Sequence, residues 1–142
     1  MKKEKVESRF IELFEMEGDY SGQCYFVAAM AIGTLERRFP ERKFSIVHGT
    51  VAGGTPSLSM VHAWVECKDY CYDLNIDKGM YEQIELDFYY AAADVINRQA
   101  YTRKEAQKKM NRFGHYGPWR REYVDMAKQE DIFIWIDPKE KK

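Results

Sequence analysis

Residues 60–75 read MVHAWVECKDYCYDLN, and the fold turns on how this stretch pairs with itself. Two runs rich in β-branched and aromatic residues, MVHAWVEC and YCYDLN, flank Lys68-Asp69 in the pattern of a β-hairpin. With a two-residue turn at Lys68-Asp69, or a four-residue loop from Cys67 to Tyr70, residue 66 opposes 71, 64 opposes 73 and 62 opposes 75. His62, Trp64, Asp73 and Asn75 then share one face. Asn75 lies across from His62 and Asp73 on its diagonal, so either can orient the imidazole. A three-residue turn would put them on opposite faces, so the register decides the chemistry.

Upstream of the hairpin, AGGTPS carries the turn-forming Gly53, Gly54 and Pro56 and borders the His62 strand. Alternation and β-branching over Lys43 to Val51 predict another strand. Farther back, Cys24, Val27, Ala28, Ala31, Ile32 and Leu35 fall at i, i+3, i+4, i+7, i+8 and i+11, the apolar stripe of a helix. Its entry is GDYSGQC, where Asp19 or Ser21 can serve as N-cap, and Pro40 closes it beyond Arg38. The small residues in the stripe predict close packing against a sheet. Val6, Phe10, Leu13 and Phe14 predict an amphipathic first helix between Lys2 and Glu17, stopping near Gly18.

Downstream of Gly79, helical spacing runs through Ile84, Phe88 and Ala91, and the pair Thr102 and Glu105 forms a capping box that opens a further helix. GHYGPW, from Gly114 to Trp119, is a loop before a short helix ending near Lys128. DIFIWI, bounded by Asp131 and by Asp137-Pro138, reads as a last buried or edge strand. The expected fold is therefore α+β: an antiparallel sheet packed against a helix that carries Cys24, with further helices in the C-terminal half.

The composition bounds what such a chain does. Its 142 residues, 45% hydrophobic and 32% charged, suffice for one domain over 1–142 that buries a core without disulfides or metal. Its 22 basic and 23 acidic residues are spread along the chain, so no single-sign field attracts nucleic acid. MKKEKVESRF lacks the apolar run of a signal peptide, and no stretch approaches the roughly 18 apolar residues of a membrane span. The expectation is a cytosolic protein with no membrane partner, a monomer or a weak homodimer paired through an edge such as DIFIWI. In the cytosol thiols stay reduced, so the three cysteines are buried, reactive or metal-bound rather than paired.

Cys24 stands where the second helix begins. The positive end of a helix favours thiolate over thiol, and its free amides can receive a developing oxyanion. Gly22 lets a substrate approach the backbone closely, and Gln23 offers a side-chain donor beside the Cys24 amide. The plain alternative is that Cys24 simply continues the apolar stripe. His62, in a strand of apolar and aromatic neighbours, needs a hydrogen-bond partner, and the hairpin supplies one. His115 in GHYGPW suits a loop over a substrate cleft. Cys67 and Cys71, with His48 or His62, also admit a zinc reading, in which the metal would stabilise the fold.

Cys24 opening a small-residue helix, then HAWVE, then YDLN on the next strand, resembles the papain-like and transglutaminase-like superfamily, in the same order Cys, His, Asp. The resemblance covers roughly residues 18 to 77. It implies Cys24 as nucleophile, His62 as general base and acid, Asp73 as the residue orienting His62, and Trp64 as a wall of the cleft. It implies a thiol-dependent hydrolase or acyltransferase that uses no cofactor and acts on a peptide or isopeptide substrate. Gly18 stands where papain carries a glutamine six residues before its cysteine, and His62 and Asp73 are closely spaced, so transglutaminase-like members fit better. A non-catalytic module that keeps the fold and binds a protein or peptide is the competing expectation.

Overall fold

The computed structural model describes residues 8–11, 24–52, 60–75 and 80–129, with only the backbone described at 8–11, 74, 75, 80 and 129. In chain order its elements are β1 (Ser8–Ile11), α1 (Cys24–Arg38), β2 (Ser45–Val51), β3 (Met60–Glu66), β4 (Tyr70–Asn75), β5 (Met80–Glu85), α2 (Leu86–Ala93), β6 (Val95–Tyr101), α3 (Arg103–Phe113) and α4 (Arg121–Gln129). Among the described residues six strands form one sheet in the order β1-β5-β4-β3-β2-β6, and every neighbouring pair is antiparallel.

The hairpin of β3 and β4 has the register that the Lys68-Asp69 turn predicts. Glu66 pairs with Cys71, Val65 pairs with Tyr72, and the Cys67 amide donates to the Tyr70 carbonyl at 2.9 Å. Strand alternation then sorts side chains by face. Val61, Ala63 and Val65 join the cluster that α1 covers, with Ile46, Tyr72 and Tyr81 from neighbouring strands. Trp64 and Cys71 belong to the other face, with Val47 and Tyr89, under the partial cover of Leu86, Tyr90 and Ala93 on α2.

The α1 stripe is buried as its spacing dictates: Val27, Ala28, Ala31, Ile32 and Leu35 are each at most 1% exposed. Ala28 and Ala31 let the helix axis approach the sheet, and a leucine such as Leu35 fully buried there contributes about 2–3 kcal/mol by transfer from water alone. At α3 the capping box is formed in full: Thr102 Oγ1 accepts from the Glu105 amide at 3.0 Å, and the Glu105 carboxylate accepts from the Thr102 amide at 2.9 Å. Among the described residues no helix is long and apolar enough to cross a membrane.

Three expectations need correction. Ser8–Ile11, inside the stretch read as a first helix, is strand β1, paired from Ser8 with Ile84 to Ile11 with Tyr81. There the hydrogen bonds of an open sheet edge outweigh a helical spacing of four apolar residues; the remainder of Lys2 to Glu17 lies outside the described residues. Ile84 is likewise in a strand, because β5 pairs with β4 along its whole length and the helix begins only at Leu86. The spacing of Ile84, Phe88 and Ala91 spans two elements by coincidence. Finally, β6 was not anticipated. As an edge strand its residues are mostly exposed, with Tyr101 the buried one, so it carries little alternation. Gly49 of β2 makes room for it: a Cβ there would stand 2.3 Å from the Asn97 carbonyl oxygen and 3.2 Å from the Trp64 ring. Asp19, Ser21, residues 53–57 and DIFIWI lie outside the described residues.

His48 on β2 is a buried polar group that the apolar pattern of its strand concealed. It is fully enclosed by the rings of Tyr25 at 4.6 Å, Tyr101 at 5.2 Å and Trp119 at 4.8 Å. Neither ring nitrogen has a hydrogen-bond partner among the described residues. Burial, assisted by the nearby His115, pushes its pKa from 6.5 down to about 3. Between those values the unfolded chain binds a proton that the folded chain does not, so stability falls as pH falls. We expect a loss of roughly 5 kcal/mol from this group across that window, at about 1.4 kcal/mol per unit. Thermal unfolding of His48→Phe should lack this part of the acid slope; an unchanged slope would show that His48 is not its source.

Candidate active site

Cys24 is the first residue of α1, so its thiol stands at the helix end where backbone N–H groups lack intrahelical acceptors. It is half-buried, against the α1-covered core. His62 and Asp73 come from β3 and β4. The ladder between those strands comprises two pairs, at 65 with 72 and 66 with 71, and ends before reaching them. At this end of the hairpin His62 Nε2 lies 2.8 Å from Asp73 Oδ2, the diagonal contact that the register requires.

Cys24 stands close enough to His62 to help raise the pKa of its imidazole. With Nε2 committed to Asp73, the other ring nitrogen, Nδ1, is the one available to the thiol. Three side chains from α1, β3 and β4 thus form a chain of contacts: Cys24 to His62 to Asp73. Burial by itself would lower the His62 pKa, but the Asp73 carboxylate and the Cys24 sulfur, by charge and by hydrogen bonding, hold it well above 6.5. The His62 and Asp73 side chains keep 27% and 20% of their surface exposed, so solvent and small reactants reach them.

The face behind the imidazole is closed. Trp64 stacks against the His62 ring, centroids 5.8 Å apart and planes 28° apart. Its indole N–H donates to Glu66 Oε2 at 2.9 Å. Glu66 in turn accepts from the Tyr90 hydroxyl at 2.7 Å and from Arg98 at 2.7 Å, so this buried carboxylate is satisfied on both oxygens. Asp73 also has a second donor, the Tyr89 hydroxyl at 2.6 Å. Burial, with Asp73 and Cys24 nearby, raises the pKa of Tyr81 on β5 well above 10.

The other sequence candidates fall differently. Of the two residues that the hairpin offered to His62, Asp73 makes the contact; Asn75 is described by its backbone, paired with Met80. Gln23 lies outside the described residues. Trp64 does not wall a cleft: it is fully buried, packed on Tyr89 at 5.5 Å because α2 covers that face, and so forms the floor under His62. His115 is not brought to the triad. Its Nδ1 accepts from the Gly117 amide at 3.1 Å, and its electrostatic neighbour is His48.

Cys67 and Cys71 are free and belong to opposite faces, Cys67 against the α1 cluster and Cys71 in the Trp64 cluster. They therefore do not converge on one ion, and no group of three metal-ligating side chains occurs among the described residues. Tyr89, Tyr90 and Arg98 escaped sequence reading because nothing local says that α2 and β6 flank the hairpin. Glu66 was legible in principle: HAWVE places His62, Trp64 and Glu66 on one face of a strand.

No protein-family model matches the chain, and neither a curated protein nor a solved structure matches it.

The contacts of His62 predict its titration. In wild type, NMR of the His62 ring should give an apparent pKa above 6.5, because Asp73 and Cys24 both favour the imidazolium. Asp73→Asn and Cys24→Ala should each lower it by on the order of one unit. A value at or below 6.5 in wild type would contradict this geometry.

Proposed function

We propose that the protein is a thiol-dependent hydrolase or acyltransferase that acts on an amide, of peptide or isopeptide type, through Cys24, His62 and Asp73. The observation that carries this reading is the placement of His62 between a carboxylate at 2.8 Å and the thiol at the first residue of α1. The order along the chain and the α+β frame agree with the papain-like and transglutaminase-like resemblance, and the roles follow from the chemistry.

His62 takes the Cys24 proton, leaving a thiolate beside an imidazolium that Asp73 stabilises and keeps in one orientation. The sulfur attacks the amide carbonyl carbon, a C–S bond forms, and the carbonyl electron pair moves onto oxygen within reach of the α1 amides. Collapse of this adduct breaks the C–N bond as His62 donates its proton to the leaving amine. Water, or a second amine in a transferase, then attacks the thioester and gives its proton to His62. Collapse of this second adduct breaks the C–S bond, the electron pair returns to the Cys24 sulfur beside the protonated His62, and the acid or new amide departs.

Such a thiol functions in a reducing compartment, which fits three unpaired cysteines and a cytoplasmic location. Substrate would be a protein or peptide.

Incubation with a library of peptide amides or activated acyl esters, read by intact-mass spectrometry, should trap an acyl group on Cys24. Cys24→Ala should abolish turnover with the fold intact, and Asp73→Asn should reduce it by on the order of a hundredfold or more, because the imidazole loses its orienting carboxylate. Full turnover in Cys24→Ala would refute the proposal, and peptide binding undiminished in a catalytically silent wild type would favour a binding module.

A further inference from the structure

Asp73 Oδ2 accepts two hydrogen bonds, one from His62 Nε2 at 2.8 Å and one from the Tyr89 hydroxyl at 2.6 Å. Tyr89 comes from α2, on the sheet face opposite α1. Its ring is 7% exposed and packs on Trp64, the same indole that stacks on His62. The imidazole is thus held at its edge by Asp73 and on its face by Trp64, and Tyr89 touches both.

We propose that Tyr89 is a positioning residue of this site, which fixes the Asp73 carboxylate and tempers its pull on His62 by taking a share of the same oxygen. The inference rests on the triad reading above. Two donors on one acceptor oxygen compete: each withdraws density from the lone pairs that the other uses, and each disperses part of the carboxylate charge. A carboxylate given wholly to His62 would hold the imidazolium too firmly for it to release its proton to a leaving amine, because a general acid works best with a pKa near the working pH. Burial, with the neighbouring Asp73, pushes the Tyr89 pKa well above 10, so its hydroxyl remains a donor throughout the working range. The titratable groups that bear on this cluster include Cys24 from α1, Cys71 from β4, Tyr81 and Glu82 from β5, the latter directly opposite Asp73 in the ladder, and Tyr89 itself from α2.

Tyr89→Phe tests the inference, since it removes the hydroxyl and keeps the ring that packs on Trp64. The NMR pKa of His62 should rise by about half a unit or more, and the alkaline limb of turnover should move up with it. Site-specific 3-fluorotyrosine at position 89, a stronger donor of nearly the same size, should move the His62 pKa the other way, and it carries the test alone if Tyr89→Phe does not fold. A purely structural tyrosine would change melting temperature and leave the His62 pKa unmoved or lower in Tyr89→Phe, which would overturn the inference. Cys24 alkylation in wild type separates the two levels. A reactive Cys24 with an unmoved His62 overturns the role of Tyr89 alone, whereas an inert Cys24 overturns the triad and that role together.

Discussion

The register of β3 against β4 is the constraint on which the rest depends. Two backbone pairs, Val65 with Tyr72 and Glu66 with Cys71, set it, and a slip of one residue would turn Asp73 to the face opposite His62. In the observed register one face receives His62, Trp64, Glu66 and Asp73, while the other receives Val61, Ala63, Val65 and Tyr72 for α1 to cover. The sheet therefore separates two tasks. Its α1 face is a conventional apolar core, and its α2 face carries a polar network under the candidate site.

That polar network is closed where it is buried. Glu66 gains donors from β3, α2 and β6, and Asp73 gains donors from β3 and α2. An unpaired carboxylate at either position would cost several kcal/mol in desolvation, so these contacts are a condition for having charge inside the fold at all. They also stiffen the imidazole from two directions. Strength in the scaffold and orientation at the site come from the same hydrogen bonds.

Legibility in the sequence follows the range of the interactions. The hairpin, its register, the α1 stripe and the Thr102–Glu105 cap are written in residues close along the chain, and they were readable. The His62–Asp73 contact was readable too, because a two-residue turn determines which side chains meet across eleven residues. Tyr89, Tyr90 and Arg98 were not, since their roles depend on where α2 and β6 dock, and no local pattern encodes that. Ser8–Ile11 and Ile84 were misread for a related reason: sheet partners far along the chain override a helical spacing. Trp64 was assigned the right strand face and the wrong exposure, because the cover that α2 provides is tertiary. Cys67 and Cys71 admitted a zinc reading because they are close in sequence, but alternation separates them to opposite faces.

The central claim is that Cys24 and His62 act as a thiolate–imidazolium pair. Its most direct test is the rate of Cys24 alkylation by iodoacetamide against pH, followed by mass spectrometry in wild type and in His62→Ala. The account predicts that wild-type Cys24 alkylates readily near neutral pH and that this rate falls markedly when His62 is removed. A Cys24 that is inert across the range, or equally reactive with and without His62, would contradict it.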